Sequence, residues 1–112
     1  MTKVLLEKSL DFAVLIVEEC NKLKANPALT TQLIKSGTSI GANLREAVYA
    51  QSTADFKHKL KISLKECYET EYWLELFLRT NILSNERAEE LLKKCRKIRA
   101  MLVSSINRTL DE

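Results

Sequence analysis

Only two glycines and one proline interrupt a chain of 112 residues. Turns and tight reversals draw on those residue types for the backbone angles they need, so a chain this poor in them has few places to turn. The scarcity predicts few, long elements, and the apolar spacing makes those elements helices. Both glycines, Gly37 and Gly41, fall inside a helical stretch, where each costs roughly 1 kcal/mol of propensity relative to alanine. Close approach of a neighbouring helix backbone is the compensation this predicts.

Four helical stretches follow in order. The first spans about Val4 to Leu23, with Leu6, Leu10, Ala13, Val17 and Cys20 recurring at intervals of three and four, the period of one helical face. Phe12, Leu15 and Ile16 lie off that face and are apolar too, so this helix needs cover on more than one side. A subunit contact through those three residues is the expectation. Asn26-Pro27 starts the second helix, asparagine as N-cap and proline where its missing N–H does no harm. That helix runs to about Gln51, and a two-residue break at Ser52-Thr53 separates it from the third. Ser52 with Asp55 three residues on resembles a capping box, and the third helix extends to about Thr80. Its inward stripe is Phe56, Leu60, Ser63, Cys67, Thr70, Leu74 and Phe77. Beside it Ile62, Trp73 and Leu76 form a second apolar strip, a further candidate for subunit contact. Ser84 caps the fourth helix, which runs to about Leu110. Short connections make successive helices antiparallel. The expected fold is all-α, an antiparallel up-down-up-down four-helix bundle over residues 1–112, without repeat, linker or low-complexity segment.

Composition narrows the function classes. Hydrophobic residues make up 46% and charged residues 29%, as in a folded globular domain rather than a disordered one. The longest apolar run, Phe12 to Val17, is far short of the roughly 20 residues that cross a bilayer, so no membrane role is expected. Acidic residues Glu7 and Asp11 and the lack of a cleavage site argue against a signal peptide. Cys20, Cys67 and Cys95 are odd in number and widely spaced. They read as reduced core thiols of a cytoplasmic protein. A di-iron bundle needs two Glu-x-x-His pairs, and His58, the sole histidine, follows Asp55. No metal, cofactor or catalytic residue is expected, and Gly37-Thr38-Ser39 lacks the lysine of a phosphate loop.

The charges are less ordinary. The net charge is +3, too mild for a protein that coats nucleic acid. Yet Lys57, Lys59, Lys61 and Lys65 crowd the start of the third helix, while Glu66, Glu69, Glu71 and Glu75 follow, an order opposed to the helix dipole. In antiparallel register those lysines stand level with Arg45, Arg99 and Arg108, which would make one end of the bundle basic and suited to phosphates. On the fourth helix, Lys93, Lys94, Arg96, Lys97 and Arg99 follow Glu86, Glu89 and Glu90, an order the dipole alone explains. Asn43 with Glu46, and Glu66 with Glu69, lie near the core stripes of facing helices. Together with Ser39 they are expected to form a buried hydrogen-bonded network that fixes helix register, since a carboxylate out of water needs partners.

The stretch SGTSIGANLREAVYAQSTADFKHKLKISLKECYETEYWLEL resembles the small bacterial four-helix-bundle proteins encoded in intervening sequences of 23S ribosomal RNA genes. The same fold group includes the accessory variability determinant of diversity-generating retroelements. Ser39-Ile40, Asn43-Leu44, Glu46-Ala47, Phe56, Ile62, Lys65-Glu66, Glu69 and Trp73-Leu74 carry the resemblance. Many relatives have glycine where this chain has Ala47. The resemblance implies a homopentamer without catalytic residues and, for the retroelement relatives, a basic surface that engages nucleic acid and a reverse transcriptase.

Two readings of function stay open at this point. One is a non-catalytic homo-oligomer that binds RNA or DNA through Lys57, Lys59, Lys61, Lys65, Arg45, Arg99 and Arg108. The other is a scaffold whose ring binds a protein partner and no nucleic acid.

Overall fold

Three side chains set where the helices begin. In the computed structural model, which describes residues 2–24 and 26–109, Asn26 Oδ1 accepts the Ala28 N–H at 2.9 Å. Ser52 Oγ accepts the Asp55 N–H at 3.0 Å, and Ser84 Oγ accepts the Arg87 N–H at 3.2 Å. Each satisfies a backbone donor that a helix start leaves orphaned. The helices are α1 (Thr2–Lys22), α2 (Pro27–Val48), α3 (Thr53–Arg79) and α4 (Asn85–Arg108). The expected end of the fourth helix at Leu110 lies outside the described residues.

One boundary differs from expectation. α2 ends at Val48, three residues before Gln51, and Tyr49 to Ser52 form the connection. Ser52 must adopt extended backbone to cap α3. Asp55 Oδ2 reaches back to the Gln51 N–H at 3.3 Å, so Gln51, counted as helix, is drawn into the cap. The turn from α3 to α4 has no glycine. Asn81 takes the left-handed conformation with φ 60°, which asparagine tolerates better than most residues.

Each helix packs on two neighbours, α1 on α2 and α4, and α3 on α2 and α4. The directions alternate. Lys59, Ser63 and Thr70 of α3 meet Glu46, Ile40 and Ser36 of α2 in reverse order. The up-down arrangement is therefore observed, in a body of 46 × 21 × 19 Å. Leu33, Ile40, Leu44, Leu60, Leu74, Phe77, Leu91 and Leu102 fill its axis.

The glycines of α2 do admit a neighbour. A β-carbon at Gly37 would stand 3.0 Å from Ile16 Cγ2, and one at Gly41 would stand 3.1 Å from Ser9 Oγ. What comes close at Gly37 is the Ile16 side chain rather than the α1 backbone. At Gly41 it is Ser9, hydroxyl first, with the Ser9 carbonyl carbon at 3.5 Å.

This packing rotates α1 relative to the sequence expectation. Its inward face is Leu5, Ser9, Phe12, Ile16, Glu19 and Cys20. Phe12 and Ile16, expected at a subunit contact, are 2% and 0% exposed inside the protomer; they have no surface left to give a neighbour. Leu15 is half-buried against the core. Of the face assigned inward, Cys20 is buried and Leu6, Ala13 and Val17 are half-buried, but Leu10 is 54% exposed, and Val14 beside it is 49% exposed. The apolar residues of α1 wrap so far round the helix that periodicity alone does not choose between two faces about 100° apart.

Candidate nucleic-acid interface

The lysines of α3 divide between two sides of the helix. Lys59 turns toward α2, and its Nζ meets Glu46 Oε1 at 3.0 Å. That hydrogen bond is the main reason its pKa lies above the usual lysine value. Lys57 is half-buried, with Nζ 3.5 Å from the Thr109 carbonyl at the end of α4. Lys61 and Lys65 are exposed, and neither forms an ion pair among the described residues.

Two arginines expected beside these lysines lie elsewhere. Arg99 is half-buried on α4, its Nε 2.9 Å from Glu71 Oε2 and its Cζ 5.2 Å from the centre of the Tyr68 ring. Hydrogen bonding to Tyr68, and then the charge of Glu71, raise its pKa. Arg45 sits on the α1 side of α2, at the rim of a groove described below. Arg108 is exposed at the last turn of α4.

Acidic residues draw off much of the remaining positive charge. Glu71 is also 3.4 Å from Arg96, which reaches Glu75 at 3.5 Å. Arg87 bridges the buried Glu19 and Glu90, a contact that ties the ends of α1 and α4 together. Glu71 and Glu75 thus face cations across the seam with α4, and this offsets their unfavourable order along the helix dipole.

The polar network expected from Ser39, Asn43, Glu46, Glu66 and Glu69 is not the one observed. Asn43 Nδ2 donates to the Ser39 carbonyl at 2.8 Å, and Ser39 Oγ donates to the Lys35 carbonyl at 2.6 Å, both within α2. Glu46 and Glu69 are exposed. Glu66 is half-buried, and burial, followed by the nearby Glu69 charge, raises its pKa. The interhelical bonds use smaller groups along the same seam. Ser63 Oγ donates to the Ile40 carbonyl at 2.8 Å, and Thr70 and Ser36 hydroxyls lie 3.0 Å apart. A short hydroxyl bonds across two close helices without burying a charge, which a carboxylate cannot do.

Two of the grooves among the described residues lie along α1. Leu6, Leu10, Ala13, Val14 and Val17 of α1 face Thr38, Gly41, Ala42 and Arg45 of α2 around about 540 Å³, almost wholly apolar. A second groove of about 350 Å³ lies between α1 and α4, with Lys8, Lys93, Lys94 and Lys97 around Phe12, Leu15 and Ile98. Asp11 and Glu90 share that rim. The dipole argument made these α4 lysines look purely structural, and only the fold brings Lys8 beside them.

Sequence reasoning also passed over Tyr68 and Tyr72. They are 51% and 60% exposed, the two large exposed apolar side chains of α3 among the described residues. Their spacing of four from each other, and of three from Lys65 to Tyr68, was the signal that could have found them. Ile62, Trp73 and Leu76 are half-buried; Trp73 packs on the core and meets the Tyr72 ring edge-on, centroids 5.0 Å apart.

Among curated proteins none matches this sequence. A solved structure does: a protein of unknown function from the S23 ribosomal protein family of Bacteroides thetaiotaomicron is 47% identical, with a TM-score of 0.87. The match covers 91% of this chain and 97% of that one. The family model for the 23S rRNA-intervening sequence protein matches residues 3–104, and on that match the chain belongs to the 23S rRNA-intervening sequence protein family.

Proposed function

We propose that this protein is a non-catalytic, cytoplasmic homo-oligomer that binds nucleic acid through a basic surface centred on Lys61 and Lys65. The observation that carries this reading is the state of those two side chains. They stand one turn apart, exposed and, among the described residues, in no ion pair, while Lys59, Arg87, Arg96 and Arg99 are engaged by acids of their own protomer. An unpaired ammonium group held on a rigid helix keeps its full charge for a phosphate. Lys57 extends the row toward Arg108.

Self-association is the second part of the proposal. The α1–α2 groove leaves Leu10 and Val14 half in water, and contiguous apolar surface of this kind usually marks a contact. A further copy of the chain is the proposed occupant, with Ile62 and Leu76 as additional apolar margin. Five copies, as the resemblance implies, would set five basic rows on one assembly and raise a modest protomer charge to a large one.

The absence of catalysis in this proposal has a chemical basis. The three thiols are buried. Burial, helped by Glu19, pushes Cys20 up to about 11, and Cys67 is raised as well, by its thiol neighbour Cys95 and by burial. A thiol so held is not a nucleophile near neutral pH.

The test is binding of the purified protein to structured RNA and to duplex DNA at low and physiological salt. Affinity should fall steeply with salt, and the K61Q/K65Q double variant should weaken it and flatten the slope. Binding unaffected by that variant would reject the site. The apolar groove also favours a second reading, a scaffold whose groove holds another protein; no binding at low salt, with a monomeric chain that captures a protein through that groove, would support it.

A further inference from the structure

We infer that the outer face of α3 is a stacking platform for single-stranded nucleic acid, with Tyr68 and Tyr72 as the surfaces on which unpaired bases lie. This rests on the proposed nucleic-acid reading and narrows it to strands whose bases are free. At 3.6 residues per turn, Lys61, Lys65, Tyr68, Tyr72 and Arg79 all fall within about 60° of the helix circumference. They form a straight row about 27 Å long, two cations, two aromatic rings and a third cation, and all five are exposed. Glu75 falls on the margin of the row and is turned to Arg96, while Glu69 flanks it on the other side.

Both rings are held in place. The Arg99 guanidinium lies against Tyr68, 5.2 Å from its centre, and Arg99 is itself fixed by Glu71. Trp73 meets Tyr72 at an interplanar angle of 78°, and Trp73 is packed on the core. A braced ring loses little freedom when a base stacks on it, so more of the stacking energy reaches the complex. One turn of helix separates the two rings, about 6 Å along the axis. That exceeds the rise of about 3.4 Å between bases of a duplex strand, so the platform suits an extended strand. A duplex presents no ring faces along its length and could use only the cations.

The aliphatic surface of the molecule lies elsewhere. Val4, Leu10 and Val14 are exposed on α1, Val48 on α2 and Val103 on α4, whereas α3 exposes tyrosines. Tyrosine serves protein interfaces as well as bases, but lysine is depleted from protein interfaces, and lysine flanking the two rings matches a base and its phosphate.

Fluorescence anisotropy with a 20-nucleotide oligouridylate and a 20-base-pair RNA duplex, both end-labelled, tests the inference. The single strand should bind at least about tenfold more tightly. Tyr68→Ala and Tyr72→Ala should each weaken the single strand by about tenfold and leave the duplex unchanged, whereas Tyr68→Phe should bind as the parent does. Because Tyr68→Ala also frees Arg99, a second measurement leaves the fold intact: with ring-labelled tyrosine, the Tyr68 and Tyr72 resonances should shift upfield on adding oligouridylate and the Tyr49 resonance should not. Equal binding of strand and duplex, or unmoved Tyr68 and Tyr72 signals, would overturn the platform. If K61Q/K65Q still weakened binding in that case, the basic-surface reading would stand without it. Failure of both probes to bind at low salt would remove the two together.

Discussion

α2 offers small residues on two sides, and the two sides meet different fates. Toward α3, Ser36 and Ile40 close on Thr70 and Ser63 through short hydroxyl bonds, and the seam is dry. Toward the outside of α1, Thr38, Gly41 and Ala42 leave an apolar groove of about 540 Å³. The same device, a helix made thin by small side chains, yields a finished seam where a partner helix is present and an unfinished one where it is not. The groove is built like interior, and the account takes a second copy of the chain as what completes it.

Substitutions can break this comparison. The largest expected effect is in the closed seam: Ile40→Ala removes a fully buried side chain and should cost about 2–5 kcal/mol in chemical denaturation. Val14→Ala, in the groove, should leave protomer stability nearly unchanged and weaken self-association. If both cost the same in a monomeric background, the two surfaces are not different in kind.

Next in size is Gly37→Val. Ile16 already stands 3.0 Å from where its β-carbon would lie, and a β-branched neighbour has few rotamers into which it can retreat. Overpacking of about 1–3 kcal/mol is expected. In a monomeric background such as Val14→Glu, Ala42→Val, on the exposed side of the same helix, should cost only the propensity difference of about 0.5 kcal/mol. Thermal melts of the two variants measure that gap directly.

The smallest effect sharpens the description of the α3 seam. Glu66 has a raised pKa, chiefly from burial, so the folded chain holds its proton more readily than the unfolded chain does. Its contribution to stability is therefore fully present below the unfolded value and is lost as pH rises through the folded one. E66Q, which stays neutral, should raise the melting temperature slightly at pH 7 and make no difference below about pH 4. A destabilised E66Q at pH 7 would mean that the carboxylate has a partner it needs.

The helices were legible because their signals are local. Asn26-Pro27, Ser52 and Ser84 mark starts through hydrogen bonds within three residues, and the inward stripe of α3 follows one clear period. The α3 stripe from Leu60 to Phe77 is buried as expected. What escaped the sequence depends on rotation about a helix axis and on contacts distant in the chain. α1 is apolar on adjoining faces, and Gly37 and Gly41, nearly two dozen residues or more away, decide that Ile16 and Ser9 point inward. Similarly, Glu71 sits among arginines that are twenty-five or more residues later, so the cations left free on α3 could not be read from the lysine run alone. Lys59 and Lys61 are two residues apart, and one is paired while the other is not.

The most direct test of the account is the mass of the purified protein in solution, measured by light scattering at micromolar concentration. The mass should be several times the 12.8 kDa of one chain, falling to that of one chain in Val14→Glu while the helical signal by circular dichroism is kept. A parent protein that scatters as a single 12.8 kDa chain would contradict it, and the α1–α2 groove would then be surface rather than interior awaiting its partner.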